Sequence, residues 1–143
     1  KIGADVGNVL GVSLNGGAVT HPLTPTTRAI ACAVGDPAGA ALATGVLCYT
    51  VVPTACTIVS WDILVDAGTA TVAYWKVASG TAIPTVTNTI STAGVAIAAN
   101  TSIHSATLTD FTTTAVAQYD IVGINLSAVA TAKYIYAAVN CVQ

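Results

Sequence analysis

The chain has 143 residues and a mass of 14.2 kDa, enough for one domain with a substantial core and too little for two. Only 7% of its residues are charged, against about 25% in an ordinary soluble domain, while 54% are hydrophobic and the mean hydropathy is +0.75. Four bases (Lys1, Arg28, Lys76 and Lys133) against six aspartates give a formal charge of −2, so no basic patch exists to neutralise phosphates and nucleic acid is excluded as a partner.

A surface so poor in charge is easiest to reconcile with burial against neighbouring copies, which predicts a homo-oligomer or a lattice. A membrane span would need about 20 consecutive, predominantly apolar residues. The charge-free stretch 77–109 is interrupted by Gly80, Pro84, Asn88, Gly94 and Asn100, and 38–60 by Gly39, Gly45 and Pro53, so neither predicts a spanning helix. The absence of methionine and the start at Lys1 lead to the expectation that upstream sequence has been removed, by signal-peptide or viral maturation cleavage, or left out.

Residues 1–27 read as an extended N-terminal arm. Alternation around Val9–Leu14 predicts one short strand before the turn signal Asn15-Gly16-Gly17, and the His21-Pro22-Leu23-Thr24-Pro25 run then blocks regular structure because proline lacks the amide donor. Such an arm is suited to packing on, or adding a strand to, a neighbouring subunit.

From Arg28 to the C-terminus, short apolar runs alternate with turn residues and show no sustained 3.6-residue period. Strands are expected near 28–34, 46–52, 55–65, 69–77, 102–108, 119–126 and 131–142, with turns at Gly35-Asp36-Pro37, Pro53, Asp66-Ala67-Gly68, 79–84, Asp110 and 128–130. Strict alternation along 55–65 places Cys56, Ile58 and Ser60 on one side and Thr57, Val59, Trp61, Ile63 and Val65 on the other, the Trp61 side facing the core. The alanine-containing segment 85–101 is too rich in Thr, Ser, Gly and Val for a helix. The sum is an all-β chain: an antiparallel β-sandwich or jelly-roll-like domain over 28–143.

Cys32, Cys48, Cys56 and Cys141 form an even set without CxxC or Cys/His ligand spacing, which favours two disulfides over a zinc site. If 29–34 and 46–52 pair as a hairpin centred near Ala40, Cys32 lies opposite Cys48, leaving Cys56 with Cys141.

The segments VPTACTIVSWDILVDAGTATVAYWKV, IPTV and TLTDFTTTAVAQYDIVGINLSA carry a further signal. Together with GDPAGAALATGVLCYTVV upstream, they resemble a small β-domain found at the C-terminal end of bacteriophage tail-fibre, head-fibre and related virion proteins. The resemblance covers about residues 29–143. It rests on Pro53, Cys56, Thr57, Ile58 and Trp61, then Asp66, Trp75, Lys76, Pro84 and Thr85, then Leu108, Thr112, Thr113, Asp120 and Asn125. Phe111 stands where the family usually has tryptophan, and Cys32, Cys48 and Cys141 are additional. What the resemblance implies is a non-enzymatic component of the virion surface (capsid decoration, head fibre or tail-fibre module) that associates with itself, in the family commonly as trimers, and with other virion proteins.

No catalytic residue, cofactor site or metal site is expected. His21 and His104 are the only imidazoles, one in the arm and one in a strand, where a histidine is usually a surface or satisfied core residue. Asp62 and Asp66 lie about 13 Å apart on one strand face, too far for paired-carboxylate chemistry. Asp36, Asp66, Asp110 and Asp120 read as turn caps, and no Asp-x-Asp-x-Asp spacing marks calcium. Gly35-Asp36-Pro37-Ala38-Gly39 lacks the lysine and helix of a phosphate loop.

Tyr74, Trp75, Tyr134 and Tyr136 are candidates for an interface or for a platform that stacks on a host-surface glycan. Asn100-Thr101-Ser102 and Asn125-Leu126-Ser127 match the glycosylation acceptor pattern. Three functions follow in order of preference: a virion structural protein, a secreted filament subunit polymerising by donor-strand addition, and a carbohydrate-binding receptor-recognition tip. All three place the chain at a virion surface or outside a cell.

Overall fold

A computed structural model describes residues 25–97 and 102–143, together with the backbone of two short strands near the N-terminus. Those two, β1 (Ile2–Ala4) and β2 (Leu10–Val12), pair antiparallel. The Asn15-Gly16-Gly17 and His21-Pro22 signals and the Asn100 acceptor lie outside the described residues.

The remaining strands are β3 (Thr27–Gly35), β4 (Gly45–Val51), β5 (Cys56–Val65), β6 (Thr69–Val77), β7 (Val95–Ile97), β8 (Ser102–Ser105), β9 (Ala115–Val116), β10 (Ile121–Ala130) and β11 (Tyr134–Val142). They form two packed antiparallel sheets. One has the order β4-β10-β6-β7 and the other β3-β11-β5-β8, with β9 also beside β5. Strands β3 to β6 alternate between the sheets, β10 inserts between β4 and β6, and β11 inserts between β3 and β5, which is the winding of a jelly roll. The described part of segment 85–101 forms no α-helix, as expected; it holds a 3-10 turn, Val86–Asn88, and the short strand β7, which the residue pattern does not anticipate.

Two expected connections need correction. First, β3 and β4 do not form a hairpin: β3 pairs with β11 and β4 with β10, in opposite sheets. The connection 36–44 is long enough to cross the end of the sandwich, and it is held there by amides of Asp36 and Leu42 that donate to the carbonyls of Lys133 (3.0 Å) and Ala132 (2.7 Å). Gly35 starts the crossing at φ +95°, where a Cβ would sit 2.0 Å from the Lys133 carbonyl oxygen, so only glycine fits. Second, the turn expected at 128–130 lies within β10, and the chain turns at 131–133 instead, with Thr131 in the left-handed region.

A bulge in β5 changes its facing. Asn140 pairs with Ser60 but Cys141 pairs with Ile58, leaving Val59 as the extra residue. The inward phase therefore shifts: Cys56 and Ile58 share the core with Trp61, Ile63 and Val65, while Thr57 and Val59 are exposed. The Trp61 side is the core side, as expected, and the Trp61 indole N–H is satisfied by the Thr107 carbonyl at 3.0 Å. Strict alternation cannot register an inserted residue, because each strand residue is assumed to flip sides.

The core is completed by Val72 and Tyr74 of β6, Val122, Ile124 and Leu126 of β10, and Ile135, Ala137 and Val139 of β11. Each large aliphatic among them contributes roughly 1.5–3 kcal/mol through burial. Tyr74 lies in the middle. Its hydroxyl donates to the Ala138 carbonyl of the facing sheet at 3.1 Å, and its ring stacks on Phe111 with centroids 5.7 Å apart.

Cys32 and Cys48 form a disulfide, so the expected pairing holds, although the bond joins edge strands of opposite sheets and not partners in a hairpin. Cys56 and Cys141 are not a second bridge here. They are buried thiols within hydrogen-bonding reach of each other, and burial followed by the Cys56 contact pushes the Cys141 thiol up, so it stays protonated. Because the disulfide closes a loop with a sequence separation of 16, Cys32→Ala/Cys48→Ala is expected to lower unfolding free energy by about 3 kcal/mol in a denaturant titration.

The Asp66-Ala67-Gly68 turn faces the 131–133 turn. Asp66 Oδ1 accepts the amides of Lys133 and Tyr134, both at 2.9 Å, and these bonds hold its carboxyl below its ordinary value of 3.8. A depressed folded value means that the stabilisation is complete above pH 3.8 and disappears as the pH falls through the folded value. The urea midpoint of Asp66→Asn is therefore expected to fall less steeply below about pH 4 than that of the wild type.

Candidate functional site

The two outer faces of the sandwich have opposite chemistry. On the four-stranded sheet, alternation along β4, β10 and β6 sends three cross-strand rows outward: Val51–Ile121–Val77, Tyr49–Gly123–Trp75 and Val46–Asn125–Ala73. None of these nine residues is charged. Val51 is 58% exposed, and Val46 and Tyr49 are each 40% exposed. Gly123 makes room for the Tyr49 ring, which a Cβ would meet at 3.1 Å, and the Tyr49 hydroxyl reaches the Pro84 carbonyl at 3.4 Å. Trp75 is covered, with its indole N–H unpartnered among the described residues, beside a shallow groove of about 190 Å³ that includes Val86, Ser91, Asn125 and Ser127. Apolar Ile83 and Val86 stand exposed in the connection between β6 and β7.

On the five-stranded sheet the outward residues are small or polar. Edge strand β3 supplies Ala29, Ala31 and Ala33, and β11 supplies Tyr134, Tyr136, Ala138 and Asn140. Asp62 of β5 is in register with Ala138 on one side and His104 of β8 on the other. His104 Nδ1 lies 2.7 Å from Asp62 Oδ1. Asn140 Nδ2 donates both to Asp62 Oδ2 and to Ser60 Oγ, the latter at 3.0 Å. The result is a hydrogen-bonded chain across three strands, Ser60–Asn140–Asp62–His104. Next to it runs a groove of about 310 Å³ lined by Asp62, Leu64, Ser102, Ile103, His104 and Tyr136.

A carboxylate that orients a histidine is one part of a nucleophilic constellation, but among the described residues His104 has Asp62 as its only hydrogen-bond partner, and no hydroxyl is poised against it. What the arrangement supplies is a set of fixed donors and acceptors on rigid strands. Among the described residues, no three His, Cys, Asp or Glu side chains are grouped to hold a metal ion, and no helix is long and apolar enough to cross a membrane.

The four candidate aromatics do not form one platform. Tyr74 is fully buried between the sheets, and that burial pushes its phenol up so that it stays neutral. Trp75 belongs to the apolar face, while Tyr134 and Tyr136 lie on the opposite, polar face. Adjacent residues on a strand point to opposite sides, which is why Tyr74 and Trp75 cannot act together. The aspartates act as caps at Asp36, Asp66 and Asp120, and Asp120 additionally pairs with Lys76 at 3.0 Å. Residue patterns missed the Asp62–His104–Asn140 chain. Its one visible signal was a charge at an outward mid-strand position, Asp62, whose partners depend on the register of β8 and β11. Asn125 of the second acceptor triplet is half-buried in the middle of β10, beside the Trp75 groove. No protein family, curated protein or solved structure was found to match the chain.

Proposed function

We propose that this chain is a non-enzymatic structural subunit of an extracellular assembly, packing against further copies through the outer face of its four-stranded sheet. The observation that carries the reading is that face itself: its three rows hold no charge, and its exposed part is the apolar edge formed by Val46, Tyr49 and Val51. Apolar area of this kind is the usual material of a subunit interface. The disulfide fits an oxidising location.

The setting we favour is a bacteriophage virion, as a capsid decoration, head-fibre or tail-fibre module. Its support is the motif order over residues 29–143 and, as an analogy of fold alone, the use of jelly rolls in capsid domains. A second reading, a secreted filament built by strand addition, is favoured by one observation: β3 and β4 are both edge strands, so each has one side open to a further strand.

Val51→Lys places a charge in the face without touching the core. It is expected to weaken self-association by about two orders of magnitude in sedimentation velocity while leaving the unfolding midpoint near that of the wild type. A wild-type chain that is monomeric at high concentration would overturn the assembly reading. Electron microscopy of the native material separates the two settings: closed trimers or density on a particle favour the virion, and open polymers favour the filament.

A further inference from the structure

The polar groove lies on the side of the sandwich away from the proposed interface, and its chemistry selects a different class of partner. We propose that the groove over Asp62, His104 and Tyr136 binds a neutral saccharide through a pair of neighbouring hydroxyl groups.

The Asp62 carboxylate is held at both oxygens, Oδ1 by His104 and Oδ2 by Asn140, and Asn140 is itself fixed by Ser60. Each carboxylate oxygen has a further lone-pair site, so two acceptors remain at a fixed spacing. Hydroxyls on adjacent carbons match that spacing and donate charge-assisted hydrogen bonds. The Asp62 side chain is 29% exposed and that of His104 67%, so both are reachable. Tyr136 and Leu64, in one cross-strand row on the outer face, line the same groove and give the C–H surface of a sugar ring an apolar contact. At about 310 Å³ the groove is at the lower end of small-molecule sites, and its residues stand on strands, so little ordering is required on binding.

Other ligand classes fit less well. An anion is repelled by Asp62. A metal ion finds one carboxylate and one imidazole, short of the set it requires. An apolar ligand would strip water from the carboxylate and imidazole without replacing their hydrogen bonds.

The test is an amide-shift titration of the ¹⁵N-labelled full chain, separately with the methyl pyranosides of glucose, mannose and galactose and with butylammonium. The expected result is saturable shifts centred on residues 62–64, 102–104 and 136 with at least one sugar. Affinity should fall about tenfold in Asp62→Asn and in Tyr136→Ala and remain unchanged in Tyr119→Ser, an exposed tyrosine outside the groove. His104→Ala, at a side chain two-thirds exposed on an edge strand, provides a variant less exposed to folding defects and should also bind more weakly. Absence of saturable shifts with all three sugars, equal affinity in the groove variants, or shifts with butylammonium alone would overturn the proposal. Val51→Lys should bind sugar like the wild type, so failure of the assembly reading and failure of this one are separable.

Discussion

Asp120→Ala is expected to cost the fold about 3 kcal/mol, read as a drop in the denaturant midpoint with an unchanged slope. Asp120 is buried, and its Oδ2 accepts both the Lys76 ammonium at 3.0 Å and the Ala117 amide at 2.9 Å. Its backbone extends the same junction: the Asp120 carbonyl takes the Val52 amide, and the Tyr119 amide goes to the Val52 carbonyl. One carboxylate thus closes the turn before β10 and ties it to the ends of β4 and β6. Its removal leaves an ammonium without a counter-charge, for which a fully buried pair would cost about 3–5 kcal/mol. Lys76 retains 22% side-chain exposure and can reach water, which places the expected loss at the lower end. Asp120→Asn keeps an acceptor for the Ala117 amide and should fall between alanine and the wild type.

Tyr74→Ala should lose about 3–5 kcal/mol, because a fully buried aromatic leaves a cavity at the contact between the two sheets. Tyr74→Phe separates the terms. It keeps the ring, and with it the stacking on Phe111, but removes the hydroxyl bridge to the Ala138 carbonyl, for a loss of about 1 kcal/mol. Equal losses in the two variants would show that the hydroxyl bridge and not the packing holds the sheets at this point.

The strands of this fold were legible because Val, Thr and Ile runs are punctuated by Gly, Pro and Asp at nearly every turn. Strands β3, β4, β5, β6, β10 and β11 lie close to where alternation and turn residues put them. The pairing of Cys32 with Cys48 was reached from a hairpin that does not exist. It survived because a chain wound between two sheets brings the same residues together across the sandwich that a hairpin would bring together within one sheet. The β5 bulge was not legible, since Val59 looks like any other strand valine, and its presence depends on how β11 pairs. The candidate site was the least legible part. Asp62, His104 and Asn140 are far apart in the chain and are joined only by the registers of β8 and β11 on β5. The aromatic cluster failed for the opposite reason: Tyr74 and Trp75 are sequence neighbours, and the pleat separates them.

The Cys32–Cys48 bond also determines how this domain would behave under mechanical load. Chain preceding Thr27 enters at one end of edge strand β3, where Thr27 pairs with Val142, and a pull from that side would peel β3 from β11 one residue at a time. Peeling stops at Cys32, because there the tension passes through a covalent bond into β4 and the other sheet, and segment 33–47 is shielded from it. Beyond that point the load also reaches the pairing of β4 with β10 in the second sheet. Pulled from its N-terminal side, the domain would therefore give way by a few residues before the load is shared between the two sheets.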